Sequence, residues 1–399
     1  MQPTRRLLQL GFLILTVVGV YVVRGNAERW CPFGGVEAIY GYLTEGNMLC
    51  SLGVSNFYML GGVLLSVLLL RRAFCSYVCP IGTVSEWIQL GARRLGIRPR
   101  SVPPLLDRAL SLLKYVVLGV ILYVTWRAGE LLFRGYDPCY ALLSRHGEDI
   151  TVWAYIISGA VLLGSLFVMV PFCRWLCPLA AVFHPFSRVG FARVRRNVEA
   201  CVLCGQCARA CPMQIPVDQV TTVRAARCTS CLNCVTACPT RGEGALEWGP
   251  PRRFGRAWPQ AVLVVLLLAC IAGAVAATYA APLPSFTYTR QGHAEPPETA
   301  TVELHINDLA CRGRANLLVY YLDRDDLDEI PGYLRLEAWP GPDPARARIT
   351  YDPAAADEAL IRRAITEPYY DLDADFWRSS PFTIEPDPNG VAPSQRAGT

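Results

Sequence analysis

Five apolar runs, each long enough to cross a bilayer, limit this chain more than any other feature. They are Leu7–Val23, Val54–Leu70, Ala109–Trp126, Ile150–Phe172 and Trp258–Ala281. A bilayer core takes about 20 helical residues, and only helices or closed barrels satisfy their backbone within it. Only the third run holds a charge, Lys114, near its start, where it can snorkel. The composition agrees: 52% of the 399 residues are hydrophobic and only 18% charged, against about a quarter in soluble proteins. The first run follows Arg5 and Arg6, as in a signal peptide, but "RGNAERW" offers no small-x-small cleavage site, so the run is expected to stay as an anchor.

Arginine placement predicts the orientation. Residues 71–108 are arginine-rich, as is the long segment 173–257, while the loops 24–53 and 127–149 hold few arginines. The N-terminus and 173–257 are therefore predicted to be cytoplasmic, in a multi-pass arrangement of a bacterial inner membrane. The acidic stretch from Pro282 is predicted to lie outside. Basic residues flank the apolar runs instead of forming a patch with aromatics, so no nucleic-acid partner is expected.

The seventeen cysteines supply the chemistry. Cys201, Cys204, Cys207 and Cys211 read C-x2-C-x2-C-x3-C before Pro212, and Cys228, Cys231, Cys234 and Cys238 repeat it before Pro239. Three thiolates in a tight loop can face three irons of a cube, and the fourth comes from the other run, as in bacterial two-cluster ferredoxins. The spacing assigns Cys201, Cys204, Cys207 and Cys238 to one [4Fe–4S] cluster, and Cys228, Cys231, Cys234 and Cys211 to a second. Zinc ribbons would show paired C-x2-C units, and disulfides are disfavoured on the cytoplasmic side.

A second pattern repeats at greater distance. "FCSYVCP" (74–80) and "FCRWLCP" (172–178) each follow an apolar run. Their pairs Cys75/Cys79 and Cys173/Cys177 are four apart, on one face if helical, and Pro80 and Pro178 sit where a helix is interrupted or restarted. Each phrase ends a unit of two spans around an outer Cys-Pro or Pro-Cys. That is an internal duplication whose halves are related by an axis along the membrane normal, which would gather the four thiols on the cytoplasmic side. A redox-active dithiol set, a metal or cluster site, and a pair of disulfides remain open for them. A turn is predicted at "FHPFSRVG" between Cys177 and Cys201.

"CPFGGVEAIY" (31–40), the two phrases and the cassette together resemble a family of polyferredoxin-like 4Fe–4S membrane proteins over roughly residues 1–260. That family includes the membrane ferredoxin of periplasmic nitrate reductase systems, the membrane component of nitrous-oxide respiration and a copper-handling accessory protein of cytochrome oxidase assembly. The resemblance implies electron flow between membrane or cytoplasm and a redox partner on the outer side. No flavin-binding domain precedes the first span, unlike the nitrous-oxide type, and the tail does not read as the immunoglobulin-like domain of the copper-handling type.

Residues 300–372 alternate as strand, helix, strand, strand, helix, strand, with Asp352 as a possible cap of the second helix. This is similar to heavy-metal-associated domains, whose C-x2-C loop is matched here by "LACRGRAN". Cys311 is present, but Arg314 stands in the place of the second thiol, which leaves a weak soft-metal site.

The expected fold is membrane α-helical, with about five transmembrane helices, an inserted 2[4Fe–4S] ferredoxin domain and a C-terminal ferredoxin-like α/β domain. Its parts are a duplicated four-helix core (1–190), the ferredoxin domain (191–250), a fifth span (256–281), a linker (282–299) and the outer domain (300–384). Cys31, Cys50 and Cys139 fall outside, where Cys31 with Cys139 is the expected disulfide. His184, Glu37 and Glu86 read as ordinary interfacial side chains, with a quinol proton relay as the competing role for His184. The function expected is single-electron relay. Cupric reduction, a quinol dehydrogenase subunit, and a redox-sensing regulator or assembly factor are the alternatives, and quinone and copper the further cofactors these would bring.

Overall fold

A computed structural model describes residues 3–22, 30–45, 54–97, 99–128, 135–143, 150–251, 255, 257–290, 296, 298–323, 332–341, 344–371 and 376–385. The chain divides into two compact units. One comprises Met1–Glu37 and Ser55–Ala280, the other Ala38–Val54 and Ala281–Thr399.

In the first unit the helices are α1 (Pro3–Tyr21), α2 (Pro32–Glu45, which crosses the division), α3 (Ser55–Leu70), α4 (Phe74–Tyr77), α5 (Pro80–Arg94), α6 (Pro104–Ala128), α7 (Pro138–Leu143) and α8 (Val152–Phe167). A π-helical turn (Phe172–Leu176) and α9 (Pro178–Val189) follow. The ferredoxin segment contains β1 (Arg193–Arg196), α10 (Gln206–Arg209), α11 (Asn233–Thr236) and β2 (Leu246–Gly249), and α12 (Gln260–Ala280) completes the unit. Each of the five apolar runs forms a helix. α1, α6 and α12 are long and apolar enough to cross a membrane, while α3 and α8 are apolar helices of 16 residues.

The packing repeats itself. α1 lies against α4 and α5, as α6 lies against the π turn and α9. The restarted helices are exchanged between halves: α5 packs on α8, and α9 packs on α3. Ser85 and Ser165 join α5 to α8 through a buried hydroxyl pair 2.7 Å apart. The close approach of α3 to α12 requires a glycine, since a Cβ on Gly62 would lie 2.6 Å from Ala274 Cβ and 2.8 Å from the Cys270 carbonyl.

Three expectations are corrected here. α9 runs straight through "FHPFSRV" with Pro185 inside it, so the predicted turn comes only at Gly190, where the helix ends. The two Cys-x3-Cys stretches are not continuous helix. After α3, Arg71 takes a left-handed backbone (φ 63°), and after α8, Val170 does the same (φ 43°). A short helical turn follows in each, and Cys79 and Cys177 are extended (ψ 121° and 115°) before proline restarts the helix. Cys31 is a free thiol, so the expected Cys31–Cys139 bridge is not formed. The reason is local: Cys31 caps α2 and is held by the backbone N–H groups of Phe33 and Gly34. Cys50 and the Cys139 side chain lie outside the described residues.

The second unit contains β3 (Phe286–Thr289), β4 (Ala300–Asn307), α13 (Arg312–Leu322), β5 (Tyr333–Trp339), β6 (Ala345–Tyr351), α14 (Glu358–Thr366), β7 (Tyr369–Asp371), β8 (Phe376–Arg378) and β9 (Thr383–Glu385). The five-stranded antiparallel sheet has the order β3-β5-β6-β4-β9. Without β3, that is the split βαβ order with two helices crossing between strands. Ile306, Leu318, Leu336, Ile349 and Ile361 fill its core.

Three more expectations shift in this unit. The last sheet strand is β9, because β7 and β8 pair with each other outside the main sheet. Part of the supposed linker is β3, paired with β5. α14 is capped by Asp357, whose carboxylate accepts from the Leu360 N–H at 2.7 Å, while Asp352 accepts from Ala354 N–H in the preceding turn.

Candidate iron–sulfur site and its seat on the membrane core

The cassette folds as two equivalent loops closed by the β1–β2 ribbon, in which Arg193 pairs with Gly249 and Arg196 with Leu246. In each loop, the second and fourth residues after the first cysteine are left-handed: Leu203 and Gly205 (φ 53° and 66°), then Ser230 and Leu232 (φ 46° and 58°). Alternating backbone handedness turns successive N–H groups into one concavity, a nest suited to an anionic cluster. Non-glycine residues in this region are held at a cost, and such strain gathers at functional sites. A one-turn helix follows each nest, and α10 packs on α11.

The thiols of the second set share one place. Cys211, Cys228, Cys231 and Cys234 line a single pocket walled by Ile215, Val217 and Val223. Cys211 therefore leaves its own loop to join the three thiols of the other. Of the first set, Cys207 lies within electrostatic reach of Cys201, and Cys204 is exposed. Among the described residues no three His, Cys, Asp or Glu side chains are close enough to share one metal ion. Four thiols around one apolar pocket, too far apart for one ion, fit a cube in which each sulfur takes its own iron. Burial pushes the Cys211 thiol up to about 12, so the iron must supply the charge that ionises it. The Leu203 N–H and the Arg196 guanidinium draw Cys201 down from the ordinary thiol range.

Buried arginines seat this domain on the helices. Arg5 of α1 donates to Asn233 Oδ1 (2.8 Å) and the Cys231 carbonyl (3.2 Å), and it pairs with Glu86 of α5. Gln9 joins Glu86 to the Ser76 carbonyl, both at 3.0 Å. Arg71 donates to the carbonyls of Val223, Ala225 and Ser187. On the other half, Asp107 of α6 accepts from Arg174, from Trp175 Nε1 (2.9 Å) and from Arg227 (2.6 Å), the residue before Cys228. Arg174 also reaches Gln214 Oε1 at 3.0 Å. The sequence reading missed these residues as site components. A sequence counts Arg71 and Arg174 as topology signals; the signal it did carry was the lone acid, Asp107, at the start of an apolar helix.

The remaining candidates are placed as follows. Cys75, Cys79, Cys173 and Cys177 are free and converge: Cys173 and Cys177 each interact electrostatically with both Cys75 and Cys79. Disulfides within the set are therefore not formed. His184 hydrogen-bonds through Nδ1 with the Tyr115 hydroxyl. Desolvation, then Lys114 and Arg72, hold its pKa down to about 4, so the ring is neutral near pH 7, as an interfacial histidine would be. Glu37 is buried. Cys311 is exposed at the N-cap of α13, and Arg314 is paired with Asp308 at 3.0 Å. No second thiol approaches it among the described residues.

Comparison with known proteins agrees with this arrangement. A family described as a 4Fe–4S binding domain matches residues 52–98 and again 150–198, and one described as a 4Fe–4S dicluster domain matches 193–246. YccM of Escherichia coli K12, named for electron transport, is 33% identical over 285 residues, 67% of this chain and 78% of its own length. The ferredoxin-type protein NapH of Escherichia coli K12 is 26% identical over 237 residues, 55% of this chain and 78% of NapH. NirI of Paracoccus denitrificans is 29% identical over 168 residues, 41% of this chain and 24% of NirI. No solved structure matches. With its cysteine cassette seated on apolar helices, the chain belongs to the polyferredoxin-like 4Fe–4S membrane proteins.

Proposed function

We propose that this protein relays single electrons, through two [4Fe–4S] clusters at the cytoplasmic face of the bacterial inner membrane, between a cytoplasmic or quinone donor and a membrane or extracytoplasmic redox partner. Cys201, Cys204, Cys207 and Cys238 hold one cluster, and Cys228, Cys231, Cys234 and Cys211 the other. The observation that carries this reading is the single pocket lined by Cys211 together with Cys228, Cys231 and Cys234. Crossed ligation would set the two centres side by side, as in bacterial two-cluster ferredoxins. When bound, each cluster supplies one-electron chemistry whose potential depends on burial and on hydrogen bonds to sulfur. The chain's own part is to exclude water with Ile215 and Val217, direct N–H groups inward and hold the domain to the helices through Arg5, Arg71 and Asp107.

In this reading all five apolar helices cross the bilayer in two duplicated pairs plus α12, with 300–384 outside. The repeated packing of α1–α5 and α6–α9 supports the duplication. α3 and α8, about 24 Å long at 1.5 Å per residue, are shorter than the hydrocarbon core. Arg71 satisfies loop carbonyls beyond the end of α3, where the backbone leaves the helix.

A pocket lined by Arg5, Arg6, Glu86, Gln89 and Arg93 against Pro212 and Asn233 is where a quinol donor would approach in this reading. It joins the helix ends to the second cluster's loop. Anaerobically purified protein, titrated with dithionite and with a reduced quinone analogue, tests both statements by EPR. Two interacting S = 1/2 signals after dithionite are expected, and their absence would overturn the relay. Reduction by quinol that is lost in Glu86→Gln is expected for the donor site, and quinol-inert clusters would remove it.

A further inference from the structure

The four thiols of the two Cys-x3-Cys-Pro phrases lie outside the ferredoxin cassette, and their surroundings call for an anion. Arg72 is 0% exposed and Lys114, the only lysine of the chain, is 3% exposed. Neither is in an ion pair with any described residue. Arg72 donates one N–H to the Cys173 carbonyl at 3.3 Å, and its Nε has no partner among the described residues. Both cations act electrostatically on Cys177. Asp107 acts on Lys114 only at a distance, and Arg72 has no acid within ion-pair range among the described residues; buried cations so weakly compensated are costly.

The sulfurs also take matched places in the two halves. Cys79 and Cys177 are the N-caps of α5 and α9, helices of 15 and 12 residues. The arrangement comes once from each half of the repeated core, so the site exists only where the halves meet.

We propose that Cys75, Cys79, Cys173 and Cys177 ligate a third [4Fe–4S] cluster, shared between the two halves, with Arg72 and Lys114 as its counter-charges. An oxidised cube with four thiolates carries a net charge of about −2, which two buried cations balance. A zinc ion with four thiolates would carry the same charge, but no three of these thiols are close enough to share one ion. The family described as a 4Fe–4S binding domain matches 52–98 and 150–198, which contain one cysteine pair each and none of the eight cassette cysteines. The site adjoins the second cassette cluster: Ser76 Oγ donates to the Thr229 carbonyl at 2.8 Å, and Tyr77 lies within electrostatic reach of Cys231. The third centre thus extends the relay towards the membrane interior.

The test uses the full-length protein, purified anaerobically in detergent, with iron and acid-labile sulfide counted per chain. About twelve of each are expected, where two clusters would give about eight. The double variant Cys75→Ser, Cys173→Ser is expected to lose about four of each and one reducible centre while the cassette's EPR signals stay. If that variant does not fold, the wild-type count decides alone. Eight iron in the wild type, a spectrum of a [2Fe–2S] centre, or stoichiometric zinc would each overturn the proposal. Fewer than eight iron would instead fail the cassette reading, so the two are told apart. Arg72→Gln is expected to lower the midpoint potential of the third centre alone, because removing a cation disfavours adding an electron. Unmoved potentials would overturn its placement beside Arg72.

Discussion

At the scale of residues, single buried charges decide how the cluster domain is held. Asp107 is nearly buried and serves two arginines, one in the second cysteine phrase and one beside Cys228. Asp107→Ala leaves Arg174 buried without a counter-charge. The expected cost is about 3–5 kcal/mol, the range for breaking a buried pair. It should appear as a lower melting temperature in detergent and early loss of the second cluster's EPR signal, with Asp107→Glu less damaged. His184 gives a pH dependence whose sign is fixed. Its folded pKa is held near 4, below the ordinary 6.5 or so. Between those values the unfolded chain takes up a proton that the folded one does not. Stability therefore falls as pH drops from about 6.5 towards 4. The ring is half exposed, so the slope is modest. Melting temperatures of wild type and His184→Gln between pH 7 and 4.5 should converge at the acidic end.

At the scale of elements, what the sequence revealed and what it hid have separate physical causes. The five apolar helices and the dicluster cassette were legible, because hydrophobic run length and thiol spacing are one-dimensional patterns. The shape of the Cys-x3-Cys turns was not. Their left-handed residues are Arg71 and Val170, neither of which announces a positive φ, and their stability comes from Arg71 and Arg72 bonding to distant carbonyls. Pro185 suggested a break in α9, yet the helix continues, since it packs on both α3 and α6. In the tail, β9 was missed because the β7–β8 pair intervenes before it. The contact of α3 with α12 makes a direct prediction. Gly62→Leu would drive a side chain into Ala274 and the Cys270 carbonyl. Over-packing of this kind costs about 1–3 kcal/mol. Lower yield and a lower melting temperature are expected, whereas Gly61→Leu, with open space at its Cβ, should be tolerated.

At the scale of the molecule, the proposed relay puts the cassette and the acidic tail unit in different compartments. The two parts differ in charge: 282–399 holds 11 Lys+Arg against 20 Asp+Glu, a net of −9, while the chain as a whole is +5, so 1–281 carries +14. What carries the proposed orientation is arginine in short loops beside the spans, such as 71–108, which holds those loops on the cytoplasmic side. α12, between the cassette and the tail, carries no charge in its 21 residues and is long and apolar enough to cross once. Cys311 provides a probe, being exposed and free at the start of α13. A membrane-impermeant maleimide applied to intact spheroplasts should label the chain, and Cys311→Ser should remove most of that label. The cassette thiols should react only after the membrane is opened and the iron removed. Labelling of Cys311 only after lysis would place the tail with the cassette, and the relay would then have no route to a partner outside.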